Sequence, residues 1–497
     1  MMMNKTRMGM ALLGLMCISS IMAQDVININ RNGSAAALRS ARTVVKPEGA
    51  LEARAFDWNP RLEQLTAADR GATLKLDFFE GRQYSATIRR VAKDCDGVLG
   101  ITAVLPDYDF AACFIAVSDA GITIAADIPE KDEHYSAVVS KGETILSRYS
   151  LLEAQRKEKP HLAEPAPVRE SYASMRDATA EMRAGDTDEL DDPVEIDVMV
   201  LYTAAAKQKD SQIDNTINII FQKANLILEN SQTFLTLNMV HKQETNYRET
   251  GDSHIDLNAL LALDENGEVR ALRRQYGADM VQLITKGFTD GSGGRAFLNM
   301  PYSVVQIASG LWTGYVHELG HNLGCGHSWQ QKTCPGPGVF SYSSGHRGVD
   351  EEGKWFRTVM SYASVSEYAD GQSTYEIPYF SNPDIMVKGV PVGDPVHANN
   401  ALTIKQTKHQ NSRYFEHVDT KGEHGATANE VVRNVSVWSY GGSIFVNVPT
   451  ATQISVYTLL GSLVRRQALG EGQTVVPLPQ GVYVVKVGEA AAKVVVR

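Results

Sequence analysis

Cysteine is scarce in this chain of 497 residues: there are five, and one of them, Cys17, lies in the apolar run near the N-terminus. A small domain stapled by disulfides is therefore excluded, and ordinary apolar cores must hold the chain. Positive charge is not in excess either, since 48 Lys and Arg stand against 58 Asp and Glu for a net charge of −10. With no basic stripe interleaved with aromatics, a nucleic-acid partner is not expected. Past the first two dozen residues no apolar run approaches the roughly 20 residues that cross a bilayer. Internal repeats and extended low-complexity segments are missing as well, which sets aside solenoid architectures.

What is present begins with a leader. Lys5 and Arg7 precede the apolar run Met8 to Ile21, and small residues from Ser20 to Ala23 offer a cut before Gln24, so residues 1–23 read as a secretory signal. From Ala72 to about Tyr149, runs such as Leu74 to Phe79 and Tyr84 to Ile88 alternate with Gly and Asp turns, the pattern of a β-rich domain. Composition then shifts to Glu, Lys, Arg, Pro and Ala between Glu153 and Asp192, as in an exposed linker. Residues 24–191 are therefore expected to form a detachable N-terminal region, a β-rich prodomain and its linker.

Ile196 to Tyr202 reads as a buried strand, Ile213, Ile217, Ile220, Ala224 and Ile227 mark one helix face, and Leu235 to Val240 and Met280 to Ile284 read as further strands. This alternation predicts an α/β domain over 192–418, with a mixed twisted sheet backed by helices. From about Asn434 short strands punctuated by Gly return, as in Ser443 to Val448 and Ile454 to Tyr457, so 419–497 is expected to be a linker and a small all-β sandwich.

The chemistry concentrates in one stretch, His317-Glu318-Leu319-Gly320-His321-Asn322-Leu323-Gly324-Cys325-Gly326-His327. On a helix from Leu311 to Leu323, His317 and His321 lie one turn apart and both imidazoles can reach one ion at about 2.0–2.1 Å. Glu318 is rotated by about 100° and is free to act as a general base on an attacking water. Gly324 allows the sharp turn that brings His327 back as third ligand. Three ligands leave a fourth position open, which marks a reactive zinc site rather than a closed structural one. The local cysteine pairs, Cys95 with Cys113 and Cys325 with Cys334, are the expected disulfides in an oxidising compartment. Two alternatives stay open: Cys95 as a thiolate that blocks the metal in a proform, and Cys325 as a free thiol beside it.

The HExxHxxGxxH pattern from His317 to His327, with Met360 downstream in Arg357-Thr358-Val359-Met360-Ser361-Tyr362, resembles the metzincin clan of zinc endopeptidases. The resemblance implies a metzincin-like α/β domain carrying the zinc helix, one catalytic Zn2+ on His317, His321 and His327, Glu318 as base, and Met360 as an apolar floor under the ligands. Tyr362 occupies the place where astacin-like and serralysin-like members carry a tyrosine that ligates zinc or stabilises the oxyanion. Glu195 to Tyr202 looks reprolysin-like. Ser328 after the third His is as in matrixins, where reprolysins usually carry Asp, and so the subfamily stays open. The resemblance further implies that an extended substrate pairs with an edge strand, supplied by Gly294–Phe297 or Ser303–Gln306, beside a pocket walled by residues around Tyr375 to Pro383.

The tail, with Ile454 to Tyr457, Gly461, Leu478 to Val487 and Lys493 to Arg497, resembles the C-terminal sorting domain of type IX secretion. This implies passage through the periplasm and outer membrane, then surface attachment or release. Taken together, these resemblances imply a secreted, latent zinc endopeptidase acting on protein or peptide substrates, with type IX machinery as a partner. A non-catalytic adhesin on the same scaffold, or a zinc hydrolase of non-peptide substrates, would share the scaffold. Calcium at the acidic turn Asp350 to Glu352 is open beside the reading that these carboxylates are solvated.

Overall fold

The computed structural model describes residues 26–31, 44–140, 142–156, 159, 161–165, 190–307, 313–418 and, with short gaps, 436–496. The leader at 1–23 and most of the expected linker, 166–189, lie outside the described residues. The chain divides into two compact units, residues 1–420 and 421–497. Among the described residues no helix is long and apolar enough to cross a membrane.

The N-terminal region is a nine-stranded sheet. Its strands run in space as Val26–Asn28, Thr73–Phe79, Arg82–Lys93, Leu99–Val104, Ala112–Ser118, Gly121–Ile128, Glu133–Ser140, Glu143–Tyr149 and Glu52–Ala55. Thr73–Phe79 alternates buried and half-buried positions, as a one-faced strand should. Ala112–Ser118 and Gly121–Ile128 are buried almost throughout because both sheet faces are covered. One face packs Leu74, Phe78, Ile88, Ile101, Cys113 and Ile124 into a core of its own. The other presents Ala112, Phe114, Ala116 and Ala125 to the next domain.

In that domain a six-stranded sheet is built from β1 (His161–Glu164), β2 (Val194–Thr203), β3 (Leu235–Thr245), β4 (Met280–Thr285), β5 (Gly294–Phe297) and β6 (Tyr302–Gln306), in the spatial order β1-β5-β6-β4-β2-β3. Only the β5–β6 pair is antiparallel, so the sheet is mixed, as the pattern predicts. Helices α1 (Ile213–Asn230), α2 (Ser253–Glu265), α3 (Thr313–Asn322) and α4 (Asn400–Asn411) cover it. Ile217, Ala224 and Ile227 of α1 meet Val198 and Val200 of β2, together with Leu319 and Leu323, in one core. The buried Lys408 of α4 donates to the carbonyls of Leu190 and Asp192 at 2.8 and 2.7 Å, tying the start of the domain to its last helix.

The expected linker is not a plain spacer: β1 falls within it and forms the outermost strand of this sheet. The expected disulfides are not formed, for all four cysteines are free. Cys113 points into the core of the N-terminal sheet, whereas Cys95 packs against the core on the opposite side, so the two sulfurs face apart. Cys325 is fully buried with its sulfur 3.7 Å from the carbonyl of Asn400, and Cys334 is exposed on the loop beyond.

The second unit carries a three-stranded sheet (Ser436–Tyr440, Ser443–Val448, Gly472–Pro477) and a four-stranded one (Thr452–Thr458, Leu463–Leu469, Gly481–Val487, Ala490–Val496). Ile444 and Val446 of the first share a core with Ile454, Val456 and Val485 of the second.

Candidate metal centre and its cleft

Helix α3 is buried along its whole length, with Leu319 and Leu323 anchoring it in the core. It stops at Asn322; Gly324 has φ 88°, and the amides of Gly324 and Cys325 close onto the carbonyls of His321 and Gly320. That left-handed turn sends the chain back so that His327 rejoins His317 and His321.

Each imidazole is oriented by a backbone carbonyl. Nδ1 of His317 donates to Val359 O (2.7 Å), Nδ1 of His321 to Cys325 O (2.9 Å) and Nδ1 of His327 to Cys334 O (2.8 Å). A carbonyl only accepts, so Nδ1 holds the proton and each Nε2 offers a bare lone pair. The Nε2 atoms converge, with His327 lying 3.0 Å from His321 and 3.1 Å from His317. Burial, first of all, drives the pKa of His317 and His321 well below the ordinary imidazole value and brings that of His327 to about 4. Three neutral nitrogens with no hydrogen between them repel unless a cation sits among them, and tetrahedral zinc would set them about 3.3 Å apart. The donor set therefore fits zinc.

Met360 lies beneath, fully buried; a Cβ on Gly320 would come within 2.6 Å of its sulfur and 2.8 Å of Phe380, so only glycine lets the helix sit on this floor. Tyr362 stands beside the ligands, its ring centroid 4.7 Å from that of His327. Beyond His317 a small cavity is walled by Val359, Ser361, Tyr362, Ala363 and Glu376, the last drawn from the stretch expected to form the pocket wall.

Glu318 is wholly buried, and burial pushes its carboxyl up to about 7, with the His161 hydrogen bond and the charges of His161 and Arg295 pulling the other way. Its Oε1 is held by Nδ1 of His161 at 2.7 Å, and Oε2 has no hydrogen-bond partner among the described residues. His161 opens β1, which runs parallel to β5 in the register His161↔Gly294 to Glu164↔Phe297. Its carbonyl accepts the Tyr362 hydroxyl. Glycines make the room: a Cβ on Gly294 would meet Glu318 Oε1 at 2.4 Å, and one on Gly314 would meet the His161 ring at 2.5 Å.

The group from the N-terminal region that enters the cleft is thus His161 and not Cys95. Burial and the neighbouring Asp96 and Asp94 raise the Cys95 thiol to about 12, where it is no thiolate. Nor is the acidic turn arranged for calcium. Asp350 accepts the amides of Glu352 and Lys354 and the Tyr375 hydroxyl, while Glu352 pairs with Lys354. His161 and Gly320 were not singled out in the sequence, and Gly294 entered only as the start of a candidate edge strand. The prolines at 160 and 165 that bracket the short run from His161 to Glu164 are the one local sign that it is extended.

A buried three-histidine centre with an adjacent carboxylate, at the edge of a mixed sheet, is the arrangement of a metal-binding site with a proton-accepting group beside it. More particularly, residues 193–375 match the family model Reprolysin_5, described as Metallo-peptidase family M12. Residues 426–496 match a domain of unknown function, DUF6383. Similar curated proteins include the Peptidyl-Asp metalloendopeptidase of Pseudomonas aeruginosa, 29% identical over 42% of this chain and 38% of the relative. The protein of the same name from Xanthomonas campestris is 27% identical over 44% of this chain and 51% of the relative. The chain thus spans about two fifths to one half of the relatives' lengths. Among solved structures, metalloproteinase-II from Bacteroides fragilis is similar with a TM-score of 0.37 at 13% identity, over 53% of this chain and 84% of that one.

Proposed function

We propose that this protein is a zinc-dependent endopeptidase, made latent and exported. The observation that carries the catalytic reading is the convergence of three unprotonated Nε2 atoms beside the buried Glu318 carboxylate. Zinc held by His317, His321 and His327 would supply a Lewis acid that polarises the scissile carbonyl.

Glu318 takes a proton from the attacking water as the new C–O bond forms, and delivers it to the amine as the C–N bond breaks. The Tyr362 hydroxyl already donates to a peptide carbonyl in the cleft, that of His161, and so can reach the oxygen on which negative charge grows. Such a donor is worth about 3 kcal/mol. With the N-terminal region and its strand β1 removed, strand β5 would offer main-chain pairing to an extended substrate. Aspartate-containing peptides are the first to assay, because the curated relatives are named for peptidyl-Asp.

The test is Glu318→Ala in protein freed of its N-terminal region. Zinc content should stay near one per chain while casein hydrolysis falls at least a thousandfold, and a chelator should abolish the wild-type rate. An unchanged rate in Glu318→Ala protein would sink the mechanism.

Export rests on the leader at 1–23 and on the likeness of the tail to type IX sorting domains, with passage to the cell surface or medium and removal of the tail. N-terminal sequencing and mass of the extracellular form should place its ends before Asp192 and near 419. A protein found only inside the cell with both ends intact would end this reading.

A further inference from the structure

Two side chains of the central domain converge on one carboxylate oxygen at the rim of the cleft. Oε1 of Glu164 accepts a hydrogen bond from the Arg295 guanidinium at 2.7 Å and from Nδ1 of His254 at 2.6 Å. Both donors stand on regular elements, Arg295 as the second residue of β5 and His254 in the first turn of α2. The position of a Cβ on Gly294 faces Glu318, and successive residues of a strand face opposite ways, so Arg295 leaves β5 on the side away from the base. Arg295 is mostly buried, and His254 is exposed at the rim.

The pair is held in place by the central domain itself. Nε of Arg295 donates to Ser253 Oγ at 2.8 Å, Asp252 caps the amide of His254 at 2.9 Å, and Asn258 donates to the His254 carbonyl at 2.8 Å. Asp290, 3.9 Å from Arg295, is committed elsewhere, for its two oxygens accept the amides and hydroxyls of Ser253 and Ser292. A guanidinium fork beside an imidazole N–H matches a carboxylate in charge and in geometry.

Distance along the edge fixes which residue would be read. His161, opposite Gly294, touches Glu318, and Glu164 stands three residues on, roughly 10 Å along an extended chain. A peptide paired antiparallel to β5, the stronger ladder, runs from Phe297 toward Gly294 and so toward the metal. The residue that meets Arg295 and His254 then precedes the cleaved bond by two or three positions.

We infer that Arg295 and His254 form a subsite for the carboxylate of a substrate Asp or Glu side chain at that position. This deepens the peptidase reading and rests on it for cleavage, whereas the subsite itself is a matter of binding.

The experiment uses the zinc-loaded full chain and two fluorescent peptides ending in a C-terminal hydroxamate, identical except for Asp or Asn at the third residue from it. The wild type should bind the Asp peptide at least about tenfold more tightly, a preference that shrinks in high salt and needs no variant to fold. Arg295→Met should bring the ratio near one, and His254→Ala should leave it in between. Equal affinity for the two peptides in the wild type, a failure to bind either included, would overturn the subsite, as would a preference that survives both substitutions. If the Asp peptide is preferred yet no peptide is ever cleaved, the subsite stands and the peptidase reading falls. If peptides are cleaved with no preference for Asp over Asn there, the reverse holds.

Discussion

At the scale of single residues the centre depends on groups of very different visibility. The three histidines and Glu318 are chemically distinctive and sit at helical and turn spacings, so their roles can be proposed from the string of letters. Gly320 looks like a helix defect, costing about 1 kcal/mol against Ala. Its purpose shows only in the contact with Met360 and Phe380, 2.6 and 2.8 Å from where a Cβ would stand. Gly320→Ala gains that propensity but must push Met360 from the floor, an overpacking that costs about 1–3 kcal/mol. The net expectation is a lower melting temperature and weaker zinc retention, read by thermal denaturation and metal analysis after dialysis. A variant as stable and as zinc-replete as wild type would show that the floor is soft. Cysteine was the misleading residue type, because sequence proximity suggested two pairs, of which Cys95 and Cys113 face opposite sides of one sheet while Cys325 is buried and Cys334 exposed.

At the scale of elements, strands and helices with strong periodicity were legible. The face of α1 and the strands within β2, β3 and β4 follow from apolar spacing alone. The short β1 was not, since four residues in a charged, proline-bracketed stretch carry no periodic signal and its partner edge lies some 130 positions away. The interface between α1 and the N-terminal sheet was equally hidden. There Lys223 meets Asp127 at 2.6 Å, and Lys242 of β3 meets Asp94 at 2.9 Å, both pairs largely out of water. Removing one partner of such a pair costs about 3–5 kcal/mol because the other charge stays buried alone. In protein cut once within 166–189, Lys223→Met should therefore weaken the hold of the N-terminal piece at least a hundredfold, as measured by its dissociation in gel filtration. Retention equal to the wild type would assign the hold to other contacts.

At the scale of the whole molecule, that hold sets a pH window. Burial raises the Asp127 carboxyl, but Lys223 and His134 outweigh it and keep the group below the usual carboxylate range. A depressed carboxylate contributes its stabilisation in full above the unfolded value of about 3.9 and loses it as pH falls toward the folded one. The cut protein should accordingly stay associated and blocked from pH 5 to 8 and separate only below about pH 4; separation at pH 7 would mean that the linker alone holds the pieces. The sequence by itself determined the spacing that brings three histidines and Glu318 together, the α/β character of the central domain and the β-rich flanks, because residue spacing and apolar periodicity are local. Tertiary structure alone decided that the cysteines stay apart, that glycines at 294, 314 and 320 clear space for Glu318, His161 and Met360, and that His161 reaches the base. Those outcomes depend on which sheet face a side chain takes and on which distant strand finds a free edge, and both are settled only when the chain packs.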